Sequence, residues 1–461
     1  MKTLICNSTI VNEDASFKGC VLIDNDRISR VFDEATADAE ELNKLRRSAD
    51  NVVDAEGGYL LPGVIDSHVH FREPGLTHKA CIESESKAAA YGGVTTYFDM
   101  PNTVPQTTTL EALAGKFELA QRDSHVNYSF FFGATNDNAN LLPELDKRTI
   151  PGIKLFMGSS TGNMLVDKDE SLDSIFSAAS QLGMPIMAHC EDTDVINSNV
   201  SALKEQYHSD DLPVETHPEI RSVKACYESS RKAVAMAEKY GTRLHLAHLT
   251  TARELALLDA AKPNVTAEVT PAHLLFSSED YAVLGTRIKC NPAVKSIDNR
   301  EALRTALAGG LISTIGTDHA PHLLTEKEGG ALKAVSGMPM IQFSLVSMLS
   351  LVDEKVLTVE QVVRLMAHNP AELFGVRDRG FIREGYFADL AIVRNDDPWT
   401  LSGSDIVSRC GWSPLEGRTF NWKVKHTFCN GQHIYDNGYF DESCRGSQVE
   451  FKSKESKSLK V

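Results

Sequence analysis

No stretch of this 461-residue chain approaches the eighteen or so apolar residues of a membrane-spanning helix, and the opening MKTLICNSTIVNEDA lacks the long apolar core of an export leader. The expectation is an unexported, soluble protein with no membrane partner. Basic residues are outnumbered, 47 against 63 acidic, for a formal net charge of −16. That balance disfavours nucleic acid and anionic membrane surfaces as partners. Cysteine occurs nine times, an odd number, scattered and mostly inside apolar segments. Such usage reads as reduced core thiols in a cytoplasmic compartment. No internal repeat is visible beyond an alternation of apolar and amphipathic segments. What remains, 42% hydrophobic and 24% charged residues, is the composition of a globular chain with a sizeable core.

Three textures follow one another along that chain. Residues 1–60 alternate strand-like pieces with Asn/Asp turn signals. Between residues 61 and 374, eight apolar runs rich in β-branched residues (VIDSHVHF, VTTYFDMP, NYSFFFGA, GIKLFMG, PIMAHCE, RLHLAHLT, VTAEVTP, LISTIGTD) are separated by helix-like stretches such as LEALAGKFELAQR and SVKACYESSRKAVAMAEKYG. Eight strand-helix units predict a (β/α)8 TIM barrel, an α/β fold. Residues 375–445 return to strand texture with two Asn-Gly turns, predicting that both ends of the chain build one small β-sandwich-like domain. The polar, Lys/Ser-rich segment 446–461 reads as a partly disordered tail.

Barrel enzymes place their sites at the C-terminal ends of the strands, so polar residues late in apolar runs are candidates. In VIDSHVHF, His68 and His70 are two apart and share one face of a strand, a chelate spacing. Lys154 lies in GIKLFMG, His189 closes PIMAHCE, His248 closes RLHLAHLT and Asp318 follows LISTIG. Singly, each has a bland reading: a hydrogen-bonded core histidine, an interior-paired lysine, an N-cap aspartate. Together, four imidazoles, an amine and a carboxylate at one barrel mouth lack a packing rationale, and a metal centre offsets the cost of burying them. His245 lies three residues before His248, so strand alternation puts the two on opposite faces and admits only one to the barrel.

The motifs HVHFREPG, MPNT, IKLFMGSS, MAHCED, LAHLTT, CNPAV and GTDHAPH, with GFIREGYFADL near the end, resemble the motif series of the amidohydrolase superfamily and, within it, of the dihydroorotases. The resemblance spans residues from about 50 to 435. It implies two zinc ions per subunit: His68, His70 and Asp318 holding one, His189 and His248 the other, and Lys154 bridging both as an N6-carboxylysine formed from carbon dioxide. It also implies His248 rather than His245 as ligand. The expected reaction is reversible interconversion of N-carbamoyl-L-aspartate and (S)-dihydroorotate, as in pyrimidine biosynthesis. Water would be activated between the ions, with Asp318 as catalytic base and then acid. Arg72, Asn102 and His322 are assigned to the ring carboxylate and Asn291 to the ring, and the family expectation is a homodimer.

Alternatives stay open at this level. A hydantoinase, dihydropyrimidinase or allantoinase shares the metal site but takes a different ring, and a metal-free scaffold is a third reading. Arg72 could instead pair with Glu73 or another surface acid. GMPMIQFSL at 337–345 departs from the Gly and Glu expected after its proline, which bears on the ring pocket, and His273 has no assigned role.

Overall fold

The structure, a computed structural model, describes residues 1–158, 164–259 and 263–452. Ser159 and Ser160 of the IKLFMGSS motif, and 453–461 of the expected tail, lie outside them. Five strands come first: β1 (Lys2–Asn12), β2 (Ala15–Asp24), β3 (Arg27–Asp33), β4 (Asn51–Asp54) and β5 (Tyr59–Pro62). Each of the eight apolar runs then contributes strand: β6 (Val64–Val69), β7 (Val94–Asp99), β8 (Asn127–Phe130) with β9 (Phe132–Gly133) from a single run, β10 (Ile153–Met157), β11 (Ile186–Cys190), β12 (Leu244–Leu246), β13 (Val265–Val269) and β14 (Thr314–Ile315). The C-terminal part adds β15 (Leu390–Arg394), β16 (Trp399–Thr400), β17 (Thr419–Phe420), β18 (Lys423–Cys429), β19 (Gln432–Asp436) and β20 (Tyr439–Phe440).

Strands β6 to β8, and then β9 to β14, pair in parallel in sequence order. The ring closes where His70 N donates to the His319 carbonyl at 2.8 Å beside the Val69–His319 bridge. This is the predicted TIM barrel. Its helices follow amphipathic spacing: Asp169–Leu182 buries Leu172, Ile175, Phe176 and Ala179 on one stripe and ends on Gly183 in the left-handed region. Val223–Tyr240 starts at Ser222, whose hydroxyl accepts from Ala225 N, and ends on left-handed Gly241. Among the described residues, no helix is long and apolar enough to cross a membrane.

Both chain ends meet in one nine-stranded sheet of order β20-β19-β18-β15-β5-β1-β2-β3, with β4 paired to β1. The sheet folds back on itself: Arg27 in β3 bridges Phe387, just ahead of β15, around an apolar centre of Ile5, Ile10, Val21, Ile28, Leu390 and Phe428. A single curled sheet therefore does the work of two stacked ones.

The beginning of the segment read as a polar tail is packed. Val449 and Phe451 are buried in a cluster with Phe98, Phe131, Met187 and Phe374. Backbone bonds run from Val449 N to Tyr128 O and from Phe451 N to Arg148 O. Two apolar residues spaced two apart suffice to anchor a strand-like stretch despite its polar neighbours.

Candidate metal centre and substrate cleft

Strand geometry brings the candidate residues together. Register aligns Lys154 with Met187, Met187 with His245, and His245 with Thr266 across β10 to β13. Lys154 begins that layer low in the barrel, and its stem carries Nζ up to 3.4 Å from His68 Nε2. His189 lies two residues past Met187 on the same inward face. Pairing of β6 with β7 shifts between Asp66 and Val69, and the rings of His68 and His70 come to 5.5 Å between centroids. One cleft is lined by His68, His70, Lys154, His189, His248 and Asp318, and also by Arg72, Asn102 and Asn291. Arg72, His248 and Asp318 all have positive φ (67°, 36° and 49°), a strained conformation for side-chain-bearing residues that is concentrated at functional sites.

His245 and His248 do not lie on opposite faces as strand alternation predicts. β12 ends at Leu246, and left-handed His248 turns the chain back, so both rings enter the barrel. His245 sits one layer deeper, bonded to Thr266 Oγ1 at 2.8 Å and Thr314 Oγ1 at 3.2 Å. His273 bonds Thr270 Oγ1 at 2.8 Å and the Pro292 carbonyl at 3.1 Å, tying its helix to the loop that carries Asn291.

The hydrogen-bond pattern tests whether these side chains fit cations. His68 Nδ1 is 2.7 Å from Glu268 Oε1 and His70 Nδ1 is 2.7 Å from Asn102 Oδ1. With those nitrogens donating, both Nε2 lone pairs converge on Asp318 Oδ1, at 3.4 and 2.9 Å. His189 Nε2 is likewise 3.0 Å from Glu191 Oε2, which turns its Nδ1 lone pair toward His248 Nε2 at 3.0 Å. Burial pushes the His68 and His248 imidazoles well below their ordinary pKa, so protonation is not the remedy. Converging lone pairs backed by carboxylate or amide acceptors are the pattern of metal-ligating histidines. His68, His70 and Asp318 meet as a three-donor group within 4.8 Å. The residues fit metal ions.

Burial lowers the Lys154 amine to about 8, against the attraction of Asp318 and Glu268. A neutral fraction, which alone can add carbon dioxide, is thereby available. Burial works against the Asp318 carboxylate, yet positive charge on the surrounding His68, His70 and His248 outweighs it and holds its pKa far below the carboxylate range; with those imidazoles neutral, a bound cation would supply that charge.

Arg72 is buried and, among the described residues, pairs with no carboxylate. Nε donates to the Pro321 carbonyl at 3.0 Å and Nη2 lies 2.9 Å from His322 Nε2, leaving Nη1 without a partner among the described residues. Glu73 is occupied elsewhere, accepting from Ile82 N, so pairing of Arg72 with Glu73 does not occur. Burial draws the guanidinium down to about 10, still charged at neutral pH. His322 does not line the cleft. It stands behind Arg72, also 3.1 Å from Lys79 Nζ, and burial with those cations keeps it neutral. Asn291 lines the cleft with a buried Oδ1 that has no hydrogen-bond partner among the described residues.

Several contributors carried no mark in the sequence reading. Glu268, Glu191 and Asp66 orient ligand segments: Asp66 accepts from Thr317 N at 3.0 Å and from His68 N at 3.2 Å. Glu191 also binds Arg221. Strand parity could have found two of them, since Asp66 and Glu191 lie two residues from His68 and His189. Of the variant 337–345 loop only Gly337, with Ser336 before it, lines the cleft; Met338, Met340 and Ile341 point into the core.

The buried Lys327 ammonium holds that cleft wall. Nζ donates to the carbonyls of Lys289 (3.0 Å), Val335 (2.7 Å) and Gly337 (2.7 Å), joining the loops before Asn291 and around Gly337. Lys327→Met strands those carbonyls and is expected to cost about 2–3 kcal/mol, seen as a lower denaturant midpoint at unchanged slope. An unshifted midpoint contradicts the assignment.

The chain belongs to the amidohydrolase family, whose sequence pattern matches residues 59–434. Among its relatives, a dihydroorotase of Halobacterium salinarum is 36% identical over 87% of this chain and 92% of its own length. An allantoinase of Bacillus velezensis is 33% identical, covering 85% and 87%. Among solved structures, the L-hydantoinase (dihydropyrimidinase) of Arthrobacter aurescens superposes with a TM-score of 0.89 at 25% identity, over 98% of this chain and 99% of that one.

Proposed function

We propose that this protein is a zinc-dependent dihydroorotase that interconverts N-carbamoyl-L-aspartate and (S)-dihydroorotate. The observation that carries this reading is Arg72: a buried guanidinium that pairs with no carboxylate among the described residues, facing the same cleft as the imidazole and carboxylate cluster. A cation buried unpaired is costly, and an anionic substrate group removes that cost. Dihydroorotate has a ring carboxylate suited to a guanidinium fork, whereas hydantoin and dihydrouracil have none.

His68, His70 and Asp318 are assigned to one zinc ion, His189 and His248 to the other, and Lys154, as its N6-carboxy derivative, to both. When bound, such a pair supplies Lewis-acid polarisation of the scissile carbonyl and a water acidic enough to attack at neutral pH. The protein's own groups do the rest. Arg72 Nη1 grips the substrate carboxylate, His322 and Pro321 hold the guanidinium in place, and Asn291 Oδ1 accepts from a ring N–H. Asn102 keeps His70 in the tautomer whose Nε2 faces Asp318. The Asp318 carboxylate takes the proton of the attacking water and delivers it to the departing ring nitrogen, and the reverse order closes the ring.

The allantoinase and hydantoinase relatives make a different ring the second reading. A panel of dihydroorotate, hydantoin, dihydrouracil and allantoin, assayed with zinc stoichiometry in the same sample, separates them. The expected result is that dihydroorotate is opened with kcat/KM at least about 100-fold above the neutral rings, and that chelation abolishes turnover while readded zinc restores it. Preference for a neutral ring overturns the assignment, and a metal-free, inert protein under zinc and bicarbonate supports a scaffold.

A further inference from the structure

We propose that the β18–β19 hairpin carries a separate divalent-cation site of zinc type, built from His426, His433 and Asp436. Their ligand atoms lie within 4.8 Å of one another. His426 Nδ1 is 3.1 Å from His433 Nε2 and 3.1 Å from Asp436 Oδ1. The hairpin creates this convergence: His426 stands opposite Asp436, and a register shift between Thr427 and Phe428 puts His433 opposite Phe428. The His433 ring is stacked on Phe428, with centroids 4.3 Å apart and planes 13° from parallel, so its orientation is fixed.

Hydrogen bonding alone cannot satisfy both contacts of His426 Nδ1 at once. If His426 Nδ1 carries a proton, that one proton must serve both an imidazole nitrogen and a carboxylate. If it carries a lone pair, that lone pair faces the carboxylate at 3.1 Å. A cation among the three resolves both cases. Tetrahedral zinc, with nitrogen and oxygen ligands at about 2.0–2.1 Å, sets neighbouring donor atoms about 3.3 Å apart, close to both observed separations. Two imidazoles and one carboxylate favour zinc, nickel or copper over calcium or magnesium.

The surroundings suit an accessible site. The half-exposed Asp436 carboxylate leaves the fourth position to solvent. Asp54 and Glu56 line the same surface cleft. The nearby Arg394 is engaged by Glu56 and Asp396; Lys425 also lines that wall, as does Met1, whose α-ammonium donates to Asn25 Oδ1. The site shares no residue with the barrel cleft, so its occupancy and the barrel chemistry are separable.

The test compares the full-length protein with His433→Ala and Asp436→Asn after dialysis against micromolar free Zn2+, counting bound metal per chain. The wild type is expected to hold one ion more than either variant, and Co2+ substitution is expected to give an intense four-coordinate visible absorption that both variants lose. Dihydroorotate turnover stays unchanged. The difference between proteins is read rather than the total, so a metal-free barrel would not obscure the result. Asp436→Asn replaces an exposed group and guards against misfolding of the alanine variant. Equal metal content in all three proteins overturns the proposal.

Discussion

Asp318→Asn is expected to lower turnover of dihydroorotate about 10²–10⁴-fold in both directions, the range lost when a positioned acid–base group is removed. The carboxyl is held far below the carboxylate range by the positive charge of its cluster, whether imidazolium or a bound cation, so throughout the neutral range it begins as a base. An amide of the same shape cannot take up a proton and return it. It also presents a neutral oxygen or an N–H donor to His68 and His70, whose Nε2 atoms lie 3.4 and 2.9 Å from Oδ1. The fold should tolerate the change, because the turn before Asp318 is braced independently by Asp66 bonding Thr317 N and Oγ1. KM should move little, since the groups assigned to substrate recognition are Arg72 and Asn291. Steady-state kinetics must be paired with metal analysis of the same sample. Two ions retained with turnover lost isolates proton transfer, and turnover within tenfold of wild type removes Asp318 from the mechanism.

The barrel was legible because its evidence is periodic: eight apolar runs separated by amphipathic segments, each contributing strand. His68 and His70 were legible for the same reason, two residues of one parity at a strand end. Parity failed at His248 because the strand had already ended and a left-handed residue reset the direction of the chain. Lys154 is an instructive middle case. It begins its strand rather than ending it, and the length of its side chain compensates. Lys327 was not legible at all: a lysine in LTEKEGG looks solvated, and only the tertiary return of residues 335–337 and 289 surrounds it with carbonyls. The same holds for Val449 and Phe451, whose partners on β7, β8 and the Asn369–Phe374 helix lie hundreds of residues earlier or belong to another layer.

Arg72→Met is the substitution that separates substrate recognition from the metal chemistry. The methionine stem fills a similar volume but carries no donor, so kcat/KM for dihydroorotate is expected to fall about 10²–10³-fold, the 3–4 kcal/mol of a charge pair desolvated in a cleft. Metal content should be unchanged, since Arg72 is not among the converging donors. Any residual activity on a neutral ring such as hydantoin should not fall, because that ring has nothing for a guanidinium to hold. Arg72→Lys should recover only part of the loss: it returns the charge without the fork that bonds Pro321 and His322 while leaving Nη1 free. His322→Ala, which removes the support behind Arg72 together with contacts to Ser336 O and Lys79 Nζ, should raise KM severalfold with kcat nearly intact. Undiminished dihydroorotate turnover by Arg72→Met would break the link between this buried cation and an acidic ring. The remaining claim would then be a cyclic-amide hydrolase of some other specificity.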